Sequence, residues 1–419
     1  MNTEEAATDT GDISESENTS EIKQAWLPLT AAFIGIGCGI SSLSFYTTGI
    51  FMIPWQQEFG WSRTAISSVG IFAGIILALM SPVVGALIDK LGFRHIAFFS
   101  LIAYAVGILA ISFISNSLIT LYMLSILTAL LASGSSPVTF TRAVTEWFNS
   151  SRGLALGIAL MGTGAASVLA PILLTQAIEN FGWRDAYRLL ALIVFFAATY
   201  VYLFLKTPAM AILPTSSKRI TETVKSGISR KEALQSWTFY QMSAIFLLVS
   251  TAVSGMIIHF IPMLSDLGVT QTTAGTLTAT IGASIIVGRL GVGFLIDRFF
   301  APYVAAVLFG LASIGFMVFI IGGVEYALVA ALAIGLSMGA EVDLIGYMIS
   351  RYFGLKAYGV LYGTIYSIFL VGAAISPFLA GLIFDKLGSY DIFLIMSAAC
   401  LGIASLLCLS LKRFPKLRH

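Results

Sequence analysis

Charge is what this sequence has least of. Only 11% of its 419 residues are Asp, Glu, Lys or Arg, against about 25% in an ordinary soluble domain. A chain this long with so few charges cannot cover itself with a polar surface, which excludes a water-soluble globular protein. Cysteine is scarce too. Cys38, Cys400 and Cys408 all fall inside apolar stretches, and no two stand at metal-ligand spacing. They read as small core hydrophobes. The histidines are His95, His259 and His419, too dispersed to build a metal site. No Walker phosphate loop is present, which argues against an ATP-driven pump. Neither an enzyme nor a cofactor or metal is expected, and the net charge of +2 gives no reason to expect nucleic acid.

What the chain has in abundance is apolar length. Hydrophobic residues make up 58%, and the mean hydropathy is +0.92. Twelve apolar blocks can be marked, at 26–52, 64–86, 95–115, 118–142, 153–178, 186–206, 237–262, 272–294, 302–322, 326–349, 359–382 and 391–411. Each is near the roughly 20 residues that cross a hydrocarbon core about 30 Å thick. Turn-like or charged segments at 56–63, 89–94, 149–152 and 385–390 separate some of them. The spacing predicts an all-α membrane protein with twelve transmembrane helices in two pseudo-symmetric six-helix bundles. Residues 22–206 form the first bundle and 236–411 the second. The polar stretch 207–235, with Lys218, Arg219, Lys225, Arg230 and Lys231, is the linker between them. Residues 1–21 are acidic and polar, without the basic start and apolar core of a secretory signal, and read as a disordered cytoplasmic tail. Residues 412–419 form a basic tail.

The basic residues orient the chain. With a cytoplasmic amino terminus, the inner segments hold seventeen Lys and Arg, namely Lys23, Lys90, Arg94, Arg152, Lys206, the five of the linker, Arg298, Arg351, Lys356, Lys412, Arg413, Lys416 and Arg418. The outer loops hold Arg63, Arg184, Arg188 and Lys386. That asymmetry predicts both termini on the cytoplasmic side, in the cell (inner) membrane. Arg142 and Arg289 fall within helices.

The two halves repeat. A shift of 208 lays Ile53, Pro54, Glu58 and Gly60 on Ile261, Pro262, Asp266 and Gly268, and Gly85-Ala-Leu-Ile-Asp-Lys90 on Gly293-Phe-Leu-Ile-Asp-Arg298. A shift of 206 lays Gly157, Pro171, Glu179, Gly182 and Asp185 on Gly363, Pro377, Asp385, Gly388 and Asp391. A finer echo joins Gly381-Leu-Ile-Phe-Asp-Lys-Leu-Gly388 to Gly85-Ala-Leu-Ile-Asp-Lys-Leu-Gly92, three helices from its matches. Inverted three-helix units nested in parallel six-helix halves are the layout of major facilitator transporters.

The segment Gly85-x-Leu87-x-Asp89-Lys90-x-Gly92-x-Arg94 resembles the signature loop between the second and third helices of the major facilitator superfamily, and the likeness covers residues 22–411. It implies gating roles for Asp89 and Arg94, and for their second-half counterparts Asp297 and Arg298. In that second copy Phe300 stands where Gly92 stands in the first, which implies a looser gate. Phe45-Tyr-Thr-Thr-Gly-Ile-Phe51 with Glu58-Phe-Gly-Trp-Ser-Arg63, and Trp147-Phe148 with Arg152-Gly-Leu-Ala-Leu-Gly157, look like the monocarboxylate porters and oxalate/formate-type exchangers. That narrower likeness implies that Arg289, on the eighth helix, binds the substrate carboxylate. It departs at two places. Ile285 stands where porters of animal type carry an acidic residue, and Tyr46 and Thr47 occupy the neighbourhood of their first-helix lysine.

An unneutralised guanidinium in hydrocarbon costs about 3 kcal/mol or more. Arg289 lies about 12 Å deeper than Asp297 at 1.5 Å per residue. Its planar fork grips a carboxylate through two hydrogen bonds, or else pairs with a neighbouring helix. Asp343 and Glu341 on the tenth helix are the candidate partners, and Asp343 is at nearly the same depth. The two carboxylates point about 200° apart, so one faces the cavity and the other a neighbouring helix. A carboxylate that competes with substrate for Arg289 would couple protons to anions. His259 is a candidate proton relay or a gate-lining polar group. Arg142, four residues before Glu146 and close to the cytoplasmic interface, reads as an i,i+4 ion pair or a snorkelling side chain. Phe45, Tyr46, Thr47 and Phe51, with Trp237, Phe239 and Tyr240, are candidates for the cavity lining.

The expected function is secondary transport of a small organic anion of monocarboxylate type by proton symport, as a monomer in the bilayer, through alternating access. Proton-antiport efflux is the alternative. The fifth-helix stretch MGTGAASVLAP at 161–171 lacks the Gly-Pro-x-x-Gly-Gly segment of family exporters of that kind.

Overall fold

The computed structural model describes residues 23–148, 152–207, 227–296, 298–354 and 356–415. The expected acidic tail, most of the linker and the last residues of the basic tail lie outside them.

Twelve long helices carry the described chain: α1 Lys23–Phe59, α2 Arg63–Leu91, α3 Phe93–Ile111, α4 Leu118–Trp147, α5 Arg152–Phe181, α6 Trp183–Phe204, α7 Trp237–Asp266, α8 Gln271–Ile296, α9 Ala301–Gly322, α10 Ala327–Phe353, α11 Tyr358–Leu387 and α12 Asp391–Leu409. α9 and α10 run together as one apolar stretch, joined by the 3-10 turn Gly323–Tyr326. The helices run further than the apolar blocks do. Half of segment 56–63, which reads as a turn, belongs to α1, and the actual turn is three residues long. Polar residues at the membrane surface extend a helix as readily as apolar ones; backbone geometry ends it. Gly60 and its repeat mate Gly268 take φ of 68° and 86°, a left-handed conformation open mainly to glycine.

Two helices are interrupted midway. α1 breaks at residues 38–39, and α4 breaks at Ser133–Ser135, which is 3-10. Without water, backbone groups freed by a break need protein partners. Ser135 Oγ accepts from the Ile40 N–H at 3.2 Å and donates to the Ala132 carbonyl at 2.7 Å. Ser42 Oγ donates to the Ile36 carbonyl at 2.7 Å.

Contacts gather the chain into two compact units. One is drawn from Met1–Phe45, Ile75–Ala166 and Asn180–Ser216, the other from Tyr46–Gly74, Ser167–Glu179 and Ser217–His419. These units cut across the repeat: one end of α1, α2 and α5 packs with the second half. In the first unit α3 lies against α4 and α6; in the second α7 packs with α11, α8 with α10 and α9 with α12. Large aliphatic side chains stand exposed along the helices, Ile321 at 82% and Leu79 at 68% among them. A surface of this kind is matched by hydrocarbon rather than water.

The end of the linker is helical. Ser229 and Glu232 form a capping box at the start of Arg230–Gln235. Accepting the Ser229 N–H holds the Glu232 carboxyl below the usual carboxylate range.

Candidate functional site

Helix α8 brings Arg289 to α10 because small residues let the two backbones meet. A Cβ added to Gly339 would collide with the Ile285 carbonyl and lie 2.9 Å from the Arg289 nitrogen. In this register Arg289 Nε stands 3.5 Å from Asp343 Oδ2, with the two side chains 22% and 38% exposed. That separation is long for a hydrogen bond, so the contact is an ion pair held by charge. Asp343 is therefore the carboxylate that meets the arginine. Glu341 is buried at 2%, and its Oε1 has no hydrogen-bond partner among the described residues. Tyr46 of α1 and Tyr366 of α11 lie close enough to Arg289 and Glu341 for their charges to interact, and Tyr362 does so with Arg289 and Asp343. Thr47 is buried beside Tyr46 in sequence, and Phe45 is half-buried within the first unit.

The seventh-helix aromatics differ in burial. Trp237 and Tyr240 are exposed at 77% and 57%, Phe239 is buried, and Phe51 packs on Trp55. Ser337, in Gly335-Leu-Ser-Met-Gly339, has the spacing of a hydrolase nucleophile elbow. It lies in the middle of α10, not on the strand-to-helix turn that such an elbow requires.

A second polar cluster occupies the end of the second unit away from the basic loops. Arg63, at the start of α2 and 3% exposed, donates to Asp266 through Nη1 and Nη2 at 2.6 and 2.7 Å. Its Nη1 also donates to the Tyr390 hydroxyl at 2.7 Å, and its Nε to Gln56 Oε1 at 2.9 Å. The Phe384 ring covers the guanidinium at 3.7 Å. Asp385 accepts from the backbone N–H groups of Arg63 and Thr64 at 3.1 and 2.8 Å. His259 is joined to the same cluster. Its Nδ1 is 2.7 Å from the Tyr390 hydroxyl, and its Nε2 is 2.9 Å from the Pro377 carbonyl and 3.0 Å from Ser67 Oγ. A carbonyl only accepts, so Nε2 carries the proton and Nδ1 accepts from Tyr390. The chain of donors runs from Arg63 through Tyr390 and His259 to Pro377.

Arg63 is the residue that sequence reasoning missed, having been read as one outer-loop charge among four. The available signal was its neighbourhood in the repeat. Glu58 aligns with Asp266 and Glu179 with Asp385, so carboxylates recur at this end where an arginine can meet them.

The four gating candidates are less fully placed. Asp297 lies outside the described residues, and so does the side chain of Asp89. Arg94 donates from Nε to the Tyr202 carbonyl at 2.7 Å and stacks on the Tyr202 ring at 4.3 Å, joining α3 to α6. Arg298 is exposed and lies 3.4 Å from the centre of the Phe294 ring. Arg142 pairs with Glu146 at 3.2 Å, as its spacing predicts.

Comparison with known proteins agrees with this architecture. The family model described as Major Facilitator Superfamily matches residues 34–359 and, in a second match, 245–418. The chain is 25% identical over 395 residues to monocarboxylate transporter 13 of Rattus norvegicus, covering 93% of this chain and 89% of that protein. It is 24% identical to monocarboxylate transporter 11 of Homo sapiens, covering 93% and 83%. It is also 24% identical to an uncharacterized MFS-type transporter, YcxA, of Bacillus subtilis, covering 92% and 94%. Among solved structures, a bacterial homologue of the human lysosomal transporter Spinster, in an inward-facing and occupied conformation, superposes with a TM-score of 0.69. That superposition has 15% identity and covers 92% of this chain and 96% of that one. The family match spans most of the chain, and the twelve helices, the internal repeat and the signature loop are those of its fold; this chain therefore belongs to the Major Facilitator Superfamily, as a multi-pass secondary transporter and not an enzyme.

Proposed function

We propose that the protein carries a small organic anion of monocarboxylate type together with a proton, by symport. The observation that carries this reading is the 3.5 Å pair of Arg289 and Asp343 inside the helices. Without substrate, Asp343 is the countercharge that Arg289 needs. An incoming carboxylate offers a bidentate match to the guanidinium and displaces Asp343. A carboxylate left without its cation in a poorly hydrated site binds a proton. Anion and proton then travel together, and the site holds no net excess charge in either state. The relatives named as monocarboxylate transporters support the substrate class.

His259 has partners on both ring nitrogens, so we assign it to the polar cluster around Arg63 and give the coupling proton to Asp343, with Glu341 as the second candidate. The Arg63 cluster serves as the outer closure, and Asp89, Arg94, Asp297 and Arg298 as parts of the inner gate. The basic-residue asymmetry supports both termini in the cytoplasm and residence in the cell (inner) membrane.

The test is uptake of labelled carboxylates into proteoliposomes with and without an inward proton gradient. Wild type concentrates its substrate when the lumen is alkaline. Arg289→Lys, which keeps the charge and loses the planar fork, lowers uptake at least about tenfold, the loss of one charge-assisted hydrogen bond. Full uptake by Arg289→Lys would refute the carboxylate clamp.

A further inference from the structure

On α11, Tyr358, Tyr362, Tyr366 and Phe369 form a ladder. Successive ring centroids are 5.8, 5.7 and 5.7 Å apart, and the planes are tilted by only 23°, 15° and 11°. The spacing i, i+4, i+8, i+11 places all four on one helix face. Each ring face is turned toward its neighbour in the row, so the rims of the tyrosines, with their hydroxyls, are what the row presents. From Tyr358 to Tyr366 the row covers about 12 Å of helix.

The ladder is in register with α10. A Cβ on Gly346 would lie 2.9 Å from the Tyr358 hydroxyl. One turn back along α10 from Gly346 lies Asp343, within electrostatic range of Tyr362; further back lies Glu341, within electrostatic range of Tyr366. Arg289 interacts with both Tyr362 and Tyr366. Two phenol groups thus lie within electrostatic range of Arg289 and of the carboxylates on α10. Both tyrosines are half-buried, and neither hydroxyl has a hydrogen-bond partner among the described residues.

A phenol that loses water without gaining a partner costs about 1–3 kcal/mol. If the carried anion were a bare aliphatic acid, its tail would strip water from this row and return nothing. A carboxylate bearing hydroxyls along its chain would give each tyrosine a donor or an acceptor. Sites lined with unpaired polar groups discriminate strongly in favour of ligands that satisfy them.

We propose that Tyr362 and Tyr366 are specificity-determining residues of the transport site, and that the anion they select is an extended carboxylate carrying several hydroxyl groups. The proposal rests on the reading that Arg289 holds the carboxylate. The phenol hydroxyls then bind the substrate's own hydroxyls, while the stacked rings fix the spacing between binding levels.

The test uses two acid pairs that differ in hydroxylation, gluconate against hexanoate and lactate against propionate, each competing for binding and transport in proteoliposomes of the full-length protein. Wild type prefers gluconate to hexanoate by at least about a hundredfold, the product of two hydrogen bonds worth about tenfold each. It separates lactate from propionate less. Tyr362→Phe and Tyr366→Phe keep the stack and remove one hydroxyl each. Each lowers the gluconate preference about tenfold, through KM, with kcat within about twofold and an unchanged thermal midpoint. Equal binding of gluconate and hexanoate by wild type would overturn the proposal, as would an unmoved preference in both variants. If only the tyrosine inference fails, simple acids are still carried in an Arg289-dependent way. If the carboxylate clamp itself fails, none of the four acids binds and Arg289→Gln changes nothing.

Discussion

Arg63 and Asp266 meet through two short hydrogen bonds, of 2.6 and 2.7 Å, although 203 residues separate them. This contact ties the start of α2 to the end of α7, and Gln56, Tyr390 and Asp385 add α1, the α11–α12 corner and α11 to the same knot. A buried arginine with its donors engaged is costly to uncover, because each partner left behind stays desolvated.

The knot is expected to keep the end of the bundle closed. Ser67 is buried at 2% beside His259, so Ser67→Cys reports opening. In a background where Cys38, Cys400 and Cys408 are replaced by serine or alanine, a membrane-impermeant thiol reagent reacts slowly at this site. Adding Arg63→Ala raises the labelling rate about tenfold or more, the equivalent of losing at least one charge-assisted hydrogen bond. Arg63→Lys gives an intermediate rate, since an ammonium cannot make the paired contact to Asp266 and reach Gln56 as well. Labelling unchanged by Arg63→Ala would show that the knot does not hold the closure.

Asp343 and His259 are expected to separate in their effect on the pH dependence of transport. On the proposed coupling, Asp343→Asn removes the group that would exchange a proton as Arg289 changes partners. The variant is expected to bind anion, to exchange it across the membrane, and to lose acceleration by a proton gradient. His259→Gln replaces a ring whose two nitrogens are already engaged. It lowers stability by about 1–3 kcal/mol through lost buried hydrogen bonds and leaves the pH dependence of the remaining transport unchanged. The measurement is the initial uptake rate against external pH at fixed lumen pH. A flattened profile in His259→Gln with a normal profile in Asp343→Asn would reverse the assignment.

How much of this was legible in the sequence depends on the range of the interaction. The twelve helices followed from apolar length, and the repeat followed from aligned residues such as Pro54 with Pro262. Arg142 with Glu146 was readable because both sit on one helix, one turn apart. The partner of Arg289 was narrowed to Asp343 by depth alone, since two residues at equal depth on different helices can meet. Arg63 and Asp266 were not readable as a pair, because nothing in either local sequence says which helices neighbour each other at that end. The tyrosine ladder escaped for a different reason. Its spacing of four is visible, but an aromatic row on an apolar helix looks like packing until the helix facing it is known. The breaks in α1 and α4 were hidden in runs of small residues that are equally compatible with continuous helix.

The close approach of α8 and α10 is testable by volume. Gly339 has no room for a side chain, with Arg289 N 2.9 Å and Gly288 Cα 3.1 Å from the position a Cβ would take. Gly339→Ala forces the helices apart by a few tenths of an ångström, and Gly339→Val by more. Overpacking of this sort costs about 1–3 kcal/mol. The expected consequence beyond stability is a longer Arg289–Asp343 separation and a weaker hold on the anion. KM rises in the order wild type, Ala, Val, while Gly291→Ala, a change where nothing lies within 4 Å of the added atom, leaves KM unchanged. Equal KM values for Gly339→Ala and Gly291→Ala would remove the helix contact as a determinant of the site.

The repeat makes a last prediction about two carboxylates. Glu179 accepts from the Thr272 N–H at 2.8 Å at the start of α8, and Asp385 accepts from the Arg63 and Thr64 N–H groups at the start of α2. The alignment equates Glu179 with Asp385, and the shift of 208 equates Thr272 with Thr64, so one capping device is used twice. Each carboxylate satisfies open N–H groups and sits at the positive end of a helix dipole. Removing such a cap costs about 1 kcal/mol. The two should not be equal, because Asp385 holds two N–H groups and borders the Arg63 knot, whereas the counterpart of Arg63 is Gln271, which donates to the Ile50 carbonyl. Glu179→Ala is therefore expected to lower the thermal midpoint slightly and leave Ser67→Cys labelling unchanged. Asp385→Ala should lower the midpoint further and raise that labelling, since the Arg63 backbone loses its anchor while its side chain keeps Asp266. Equal effects of the two variants on both measurements would show that the caps act only on their helices and that the knot draws nothing from Asp385.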